Sequence, residues 1–288
     1  MLKETTYSGR QTMNPTRNLQ VEQLQQWLTE TSDSASASGH LKTGLTTLEH
    51  CDDGFRYELR VLKTFRNKPS GNVERGAVQN PFLPYEPEMY VASLESSHIL
   101  LLNKFCIVDN HYLIVTPEYE EQEALLAEKE FQAVAEVMPA FPQLIFYNSG
   151  RDAGASQPHR HLQAMPVTDL PIAKALRALP NSPEQLKALP FRHLISRIDH
   201  KNLVSSAYAL YLEMLNQLDI LNSDGHPGPY NLLMTAEWLM VIPRTHGRFE
   251  GVSINSLGFA GLLLAKNQQA CQALRNATPS QVLKTVTE

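Results

Sequence analysis

The segment 144–167, LIFYNSGRDAGASQPHRHLQAMPV, constrains the fold more than any other stretch of the chain. It reads as an apolar strand over 144–147, a loop carrying Gly150, Gly154 and Pro158, and a second strand holding His159, His161 and Gln163. Successive side chains on a strand point to opposite faces. Those three polar residues therefore share one face, while Leu162 and Ala164 turn toward a core. Two imidazoles and an amide lined up beside a glycine-bearing loop read as a catalytic edge.

The surrounding pattern supplies the rest of the sheet. Apolar and polar residues alternate over 55–62 (FRYELRVL), which predicts a strand. The run 98–116 predicts two strands joined by a turn at Asp109 and Asn110. Helical spacing predicts a helix over 19–30, followed by a mobile loop at TSDSASASGH, and a second helix over 120–138 stopped by Pro139. The Pro, Gly and Asn between residues 65 and 88 predict a long surface loop. Beyond Asp169 the order recurs: a strand over 191–198, a helix over 202–218, then strands over 230–235 and 238–242. The second copy has WLMVIPR where the first has HRHLQAMPV. A last helix is expected to begin at Asn255 or Ser256, both good N-cap residues, and to run through LLLAKNQQACQALR. The expected fold is α+β, an antiparallel sheet flanked by helices, in two related halves of which only the first keeps the histidines. The expected divisions are an N-terminal helix and mobile loop over 1–50, a catalytic half over 51–170 and a C-terminal half over 171–288.

Composition narrows the function. A chain of 288 residues, 42% hydrophobic and 19% charged, can bury a substantial core. A net charge of −5 and a pI near 6.1 give no basic footprint for nucleic acid or an anionic membrane, so an anionic ligand needs a local site. Cys51, Cys106 and Cys271 are too few and too scattered for a disulfide framework or a paired-cysteine zinc site. They fit free thiols in a reducing cytosol. The opening MLKETTYSGRQTMNPTRN has no apolar core, so no signal peptide is expected, and the expected location is cytoplasmic.

Imidazole is a good nucleophile near neutral pH, because an unperturbed pKa of about 6.5 leaves much of it uncharged. Attack on phosphorus gives a phosphoramidate in which histidine is itself a competent leaving group. The loop Gly154–Gln157 can offer backbone N–H groups to phosphate oxygens, and Gln163 can donate its amide to the same group. Two other readings stand beside this one. An HxH pair on a strand also suits a metal site, with His111, His193, His246 or Asp152 as further candidates, although none sits in a recognisable ligand spacing. With ten histidines in the chain the pair can equally be structural.

At GASQPHRHLQ, together with YNSG, HILLLNKFCIV, YNLLMTAEWLMVIPRTH and INSLGFAGLLLAK, the chain resembles the histidine-triad superfamily. The nearest likeness is to the diadenosine tetraphosphate (Ap4A) phosphorylase, or ATP adenylyltransferase, family, and it covers most of residues 55–270. That resemblance implies reversible phosphorolysis of Ap4A, with phosphate, to ATP and ADP, through an adenylylated histidine. His161 would be the nucleophile, Gln163 would contact the transferred phosphate and His159 would support His161. Substrate contacts would fall on Lys68, Asn103, Lys104, Asn148, Gly154, Ala155, Ser156, Gln157, Asn255, Ser256, Leu257, Leu262 and Lys266. Leu257 replaces the usual hydroxyl residue and Leu262 the usual methionine, which touches fine nucleotide preference more than reaction class. No tightly bound cofactor is implied; Mg2+ or another divalent cation would accompany the polyphosphate substrate. Nucleotides and phosphate would be the partners, with neither nucleic acid nor membrane, and the protein a monomer or homodimer. Galactose-1-phosphate uridylyltransferases match less well, since Arg160 stands where their proline would be. A hydrolase, a transferase using sulfate or a sugar phosphate, or a non-catalytic nucleotide-binding module are the other readings.

Overall fold

The structure is a computed structural model that describes residues 17–65 and 80–288. Lys68, in the long loop expected from the sequence, lies outside the described residues. After a 3-10 turn the chain forms helix α1 (Leu24–Ala37), then strands β1 (Gly44–Asp52) and β2 (Arg56–Phe65). Strands β3 (Tyr90–Ser93), β4 (Ile99–Leu102) and β5 (Tyr112–Val115) lead to helix α2 (Glu128–Val137). The histidine segment forms β6 (Gln143–Asn148) and β7 (His161–Pro166). Strand β8 (Leu194–Arg197), helix α3 (Leu203–Gln217), β9 (Tyr230–Met234) and β10 (Trp238–Pro243) follow. A small hairpin, β11 (Arg248–Phe249) and β12 (Val252–Ser253), precedes α4 (Ser256–Phe259), β13 (Leu262–Ala265), α5 (Gln268–Asn276) and α6 (Pro279–Thr285).

Eight strands form one antiparallel sheet in the order β3-β4-β5-β7-β6-β9-β10-β8. The strand–helix–strand–strand order appears twice, and the registers of the two copies coincide. Gln163 lies opposite Leu113 on one side and Phe146 on the other. Met240 lies in the same way between Ile195 and Leu233. Phe146 and Leu233 face each other where the copies meet, at the centre of the sheet. In the second copy Trp238 and Met240 thus occupy the sheet positions of His161 and Gln163, so only one edge is chemically equipped.

Helices α1, α2 and α3 bury one face of this sheet. The other face is covered by a three-stranded sheet, β1-β2-β13, and by α4, α5 and α6. A small separate apolar cluster of Phe82, Ile99, Leu101, Leu113 and Val115 sits toward the β4 end. The polar residues of the edge lie on this second face, between the two apolar clusters.

Five expectations are corrected. The stretch TSDSASASGH is mostly helix: α1 continues to Ala37, because Ala35 packs fully buried against the core and Gly39, at φ 78°, supplies the left-handed stop. The division at residue 50 falls inside β1, whose pairing with β2 draws residues 44–50 into the sheet. The helix expected over 120–138 begins only at Glu128, because residues 120–125 are held in irregular form by Arg160 and Gln122. The strands over 98–116 are shorter than expected and are joined by residues 103–111, so Lys104 lies in a loop and not inside a strand. The last expected helix is broken: Gly261, at φ 85°, ends the turn of α4, and Leu262–Ala265 then pairs parallel to β2. No other residue fits at Gly261, since a Cβ there would meet Pro171 Cβ at 2.6 Å. Leu262 and Lys266 are therefore on and after a strand, not on a shared helix.

Candidate active site

His161 opens β7, and its backbone is gripped by a side chain from outside the sheet. Gln122 Oε1 accepts the His161 N–H at 2.8 Å, and Gln122 Nε2 donates to the carbonyls of Asn148 (2.9 Å) and His161 (3.2 Å). This buried amide closes the gap where β6 and β7 separate into the loop. The His161 ring is oriented by the chain itself: Nδ1 lies 2.7 Å from the His159 carbonyl. A carbonyl only accepts, so Nδ1 carries the proton and Nε2 keeps a free lone pair. Burial pushes the His161 pKa down to about 4, which leaves the ring neutral at physiological pH.

His159 supports this arrangement through its carbonyl; its ring is occupied elsewhere. Nε2 donates to the Thr116 carbonyl at 2.9 Å, and Nδ1 accepts from Asn80 Nδ2, also at 2.9 Å. Phe82 packs against both imidazoles, with ring centroids 5.4 and 5.2 Å away. With both His159 nitrogens engaged and His161 Nδ1 protonated, the pair is not set to chelate one ion. No group of three or more potential metal-holding His, Cys, Asp or Glu residues occurs among the described residues.

Gln163, two residues on, shares the face. Its Oε1 accepts from His111 Nε2 at 3.1 Å, which turns the amide NH2 away from His111 and toward the open side. The pKa of His111 is lowered to about 4 by burial, so it stays neutral and keeps the donor in place. Asn103 Nδ2 lies 3.2 and 3.3 Å from the two ring nitrogens of His111, a near-equal spacing that puts it over the ring face. Asn103 thus belongs to the edge through His111. Lys104, beside it, is paired with Glu86.

The buried histidines give the fold a pH signature. His111, His161 and His193 each have a pKa near 4 in the folded chain, against about 6.5 when exposed. Between those values the unfolded chain holds protons that the folded chain does not, so stability rises with pH there. It is complete above about pH 6.5 and is lost as pH falls toward 4, by up to roughly 3 kcal/mol per histidine. Urea midpoints measured from pH 7 to 4.5 are expected to fall steeply below pH 6.

The loop between β6 and β7 turns on Gly150 (φ 81°) and Gly154 (φ 93°). The Gly154 and Ala155 N–H groups close the loop on Arg151 O and Gly150 O, each at 2.9 Å. Ser156 and Gln157 are left with backbone N–H groups that have no partner among the described residues. Unlike those of Gly154 and Ala155, these two N–H groups are not used within the loop. Together with Tyr119, Glu121 and Gly150 they line a small cleft of about 200 Å³.

This loop meets the approach to α4. A Cβ on Gly154 would lie 2.6 Å from Ile254 O and 2.9 Å from Asn255 Cα. Gly154→Ala therefore combines a left-handed φ with a backbone clash. It is expected to displace the loop and destabilise the fold by about 1–2 kcal/mol, read as a lower urea midpoint. Asn255 caps α4, its Oδ1 accepting from Leu257 N at 3.1 Å. Asn148 Oδ1 collects Ser256 N (2.9 Å), Ser256 Oγ (2.7 Å) and Asn231 Nδ2 (2.9 Å). Ser256 is fully buried and braces Asn148. Leu257 packs on the second core cluster.

The structure thus brings together His159, His161, Gln163 and Asn103 around one polar face, and Asn148, Gly154 to Gln157, Asn255 and Ser256 around the loop. Leu262 and Lys266 make no hydrogen bond to either group among the described residues. Sequence reasoning missed Asn80, Thr116, Gln122, Asn231 and Arg244. A positive charge ending the wholly apolar run of β10 was the one signal available for Arg244; the others look like ordinary polar residues.

Known proteins share both the sequence pattern and the fold. Residues 14–184 match the Ap4A phosphorylase N-terminal domain and residues 187–287 the ATP adenylyltransferase C-terminal domain. The chain belongs to the Ap4A phosphorylase family. Diadenosine 5',5'''-P1,P4-tetraphosphate phosphorylase 2 of Saccharomyces cerevisiae is 25% identical over 88% of this chain and 90% of its own. Protein APA1 of the same yeast is also 25% identical, over 82% of this chain and 84% of its own. The crystal structure of the yeast Ap4A phosphorylase Apa2 with AMP shares the fold, with a TM-score of 0.76 at 24% identity, covering 91% of this chain and 96% of that one. Its complex with Ap4A gives a TM-score of 0.75 at 22% identity, with the same coverage. As a member of the Ap4A phosphorylase family the chain is a nucleotidyltransferase. Its two family domains share one continuous sheet, joined where β6 pairs with β9.

Proposed function

We propose that the protein phosphorolyses Ap4A reversibly, Ap4A plus phosphate giving ATP plus ADP, through an adenylyl group carried on Nε2 of His161. The observation that carries this reading is the neutral His161 ring, protonated at Nδ1 and held by the His159 carbonyl, with no hydrogen bond to its Nε2 among the described residues. Attack of Nε2 on an α-phosphorus of Ap4A forms the N–P bond and breaks the P–O bond to the departing ATP. The ring becomes positively charged, and its Nδ1–H bond to the His159 carbonyl strengthens as it does so. Phosphate then attacks the same phosphorus, forming ADP and returning the electron pair to Nε2.

The amide NH2 of Gln163 and the N–H groups of Ser156 and Gln157 suit charge building on the phosphoryl oxygens. A polyphosphate leaving group is weakly basic, so no general acid is required of His159. Magnesium would enter with the substrate, neutralising its phosphates; it is assigned to the nucleotide and not to a protein cage. The same reading has a monomer or homodimer working in the cytosol, which the three free thiols favour.

The test is incubation with Ap4A in the presence and absence of phosphate, with the nucleotides separated. ATP and ADP that form only with phosphate are expected. AMP released without phosphate makes water the acceptor and the protein a hydrolase. No turnover under either condition removes the enzymatic reading for this substrate.

A further inference from the structure

Arg244 follows the apolar run of β10 and is buried, with no carboxylate paired to it among the described residues. All five of its donor positions are nevertheless used. Nε donates to Val286 O at 3.2 Å, and one terminal nitrogen reaches Ala153 O (3.2 Å) and Asn231 Oδ1 (2.5 Å). The other terminal nitrogen reaches His246 O (2.6 Å) and Ile254 O (3.1 Å). The guanidinium also lies 5.2 Å from the ring centre of Phe259, in α4.

Two of these acceptors decide what the residue does. Ala153 belongs to the turn that carries Gly154 to Gln157, and Ile254 directly precedes the Asn255 cap of α4. Those segments come from the two different family domains, and Gly154 brings them into backbone contact. Asn231, the third acceptor, itself donates to Ala153 O at 2.8 Å and to Asn148 Oδ1 at 2.9 Å. Arg244 therefore holds the loop, the α4 approach and the Asn148 hub in one fixed relation. Its planar fork of five donors is matched to five fixed oxygens; a lysine ammonium has three donors on a flexible stem.

We propose that Arg244 is a positioning residue for substrate binding: it joins the anion-binding loop at 151–157 to the α4 approach at 254–257 and so sets where the Ser156 and Gln157 N–H groups stand. It touches no substrate, and the claim rests on the proposed binding of phosphate by that loop. Its positive charge beneath the loop survives burial, since the pKa falls only to about 10, chiefly through desolvation.

The test is Arg244→Lys, assayed at a temperature where circular dichroism shows it folded. Expected is a rise in KM for Ap4A of about ten- to hundredfold, as two of the five buried bonds go unmade, with kcat changed less than about threefold. The pH profile, set by His161, is expected not to move. A wild-type KM with only a smaller folded fraction would make Arg244 purely structural and overturn the proposal. Should the variant not fold, urea-dependent hydrogen exchange on the ligand-free wild type decides. One common opening for the Gly154, Ala155, Ile254 and Leu257 amides is expected, and separate openings overturn the joining role. A wild type that does not turn over Ap4A removes the proposed function instead, and leaves the exchange result standing.

Discussion

His161→Ala is expected to lower kcat for Ap4A phosphorolysis by at least about 10⁴-fold, the usual consequence of deleting a covalent nucleophile. Intact mass after brief exposure to Ap4A without phosphate should show an acid-labile AMP adduct on the wild type and none on the variant. The fold should survive, because Gln122 grips the backbone N–H and carbonyl of residue 161 and not its ring. His159→Ala makes the useful contrast. Its ring holds Thr116 and Asn80, while the bond that orients His161 comes from its backbone carbonyl. The variant should retain the adduct and lose only about 10- to 100-fold, through slackening of the loop. An adduct that survives in His161→Ala, or disappears equally in both variants, would refute the division of roles.

Arg160→Met is expected to be the most destabilising single change at the edge, by about 3–5 kcal/mol. Arg160 points away from the histidines into the opposite face, where it bonds Glu120 at 2.9 Å and the fully buried Glu130 at 3.2 Å. It also donates to the carbonyls of Glu121 (3.3 Å) and Leu125 (3.2 Å). Removing it leaves a buried carboxylate without its guanidinium and frees the segment that carries Gln122. A melting temperature lower by roughly 10 °C is expected for a domain of this size. Activity at a temperature where the variant is folded should fall as well, since Gln122 loses its anchored backbone. Unchanged melting would refute the dependence of buried Glu130 on the Arg160 guanidinium. The residue between the two histidines thus belongs to the fold.

The element types that read correctly are those governed by local periodicity. Strands β2, β6, β7, β9 and β10 and helix α3 stand where alternation or helical spacing put them. The failures share one cause, which is that a distant partner outweighed local preference. LLLA reads as helix by itself, yet a parallel partner in β2 and the glycine before it make it a strand. Residues 120–125 have helical spacing, but hydrogen bonds to Arg160 are worth more to them than another turn. Ser and Ala at 31–37 read as a loop until Ala35 finds a core to pack against.

The same division holds at the site. By itself the sequence determined that His161 and Gln163 share a face, because side-chain direction on a strand has a period of two and needs nothing from elsewhere. It determined the need for a glycine loop beside them, and the absence of the pair from the second copy. Only the tertiary structure decided which imidazole nitrogen is free, since that depends on a carbonyl and on burial from several elements. Only it showed that the Ser156 and Gln157 N–H groups have no partner among the described residues, and that Arg244 ties the loop to the approach to α4. Hydrogen-bond partners 91 residues apart, as Arg244 and Ala153 are, leave no periodicity in a sequence, because their spacing is set by the fold that joins them.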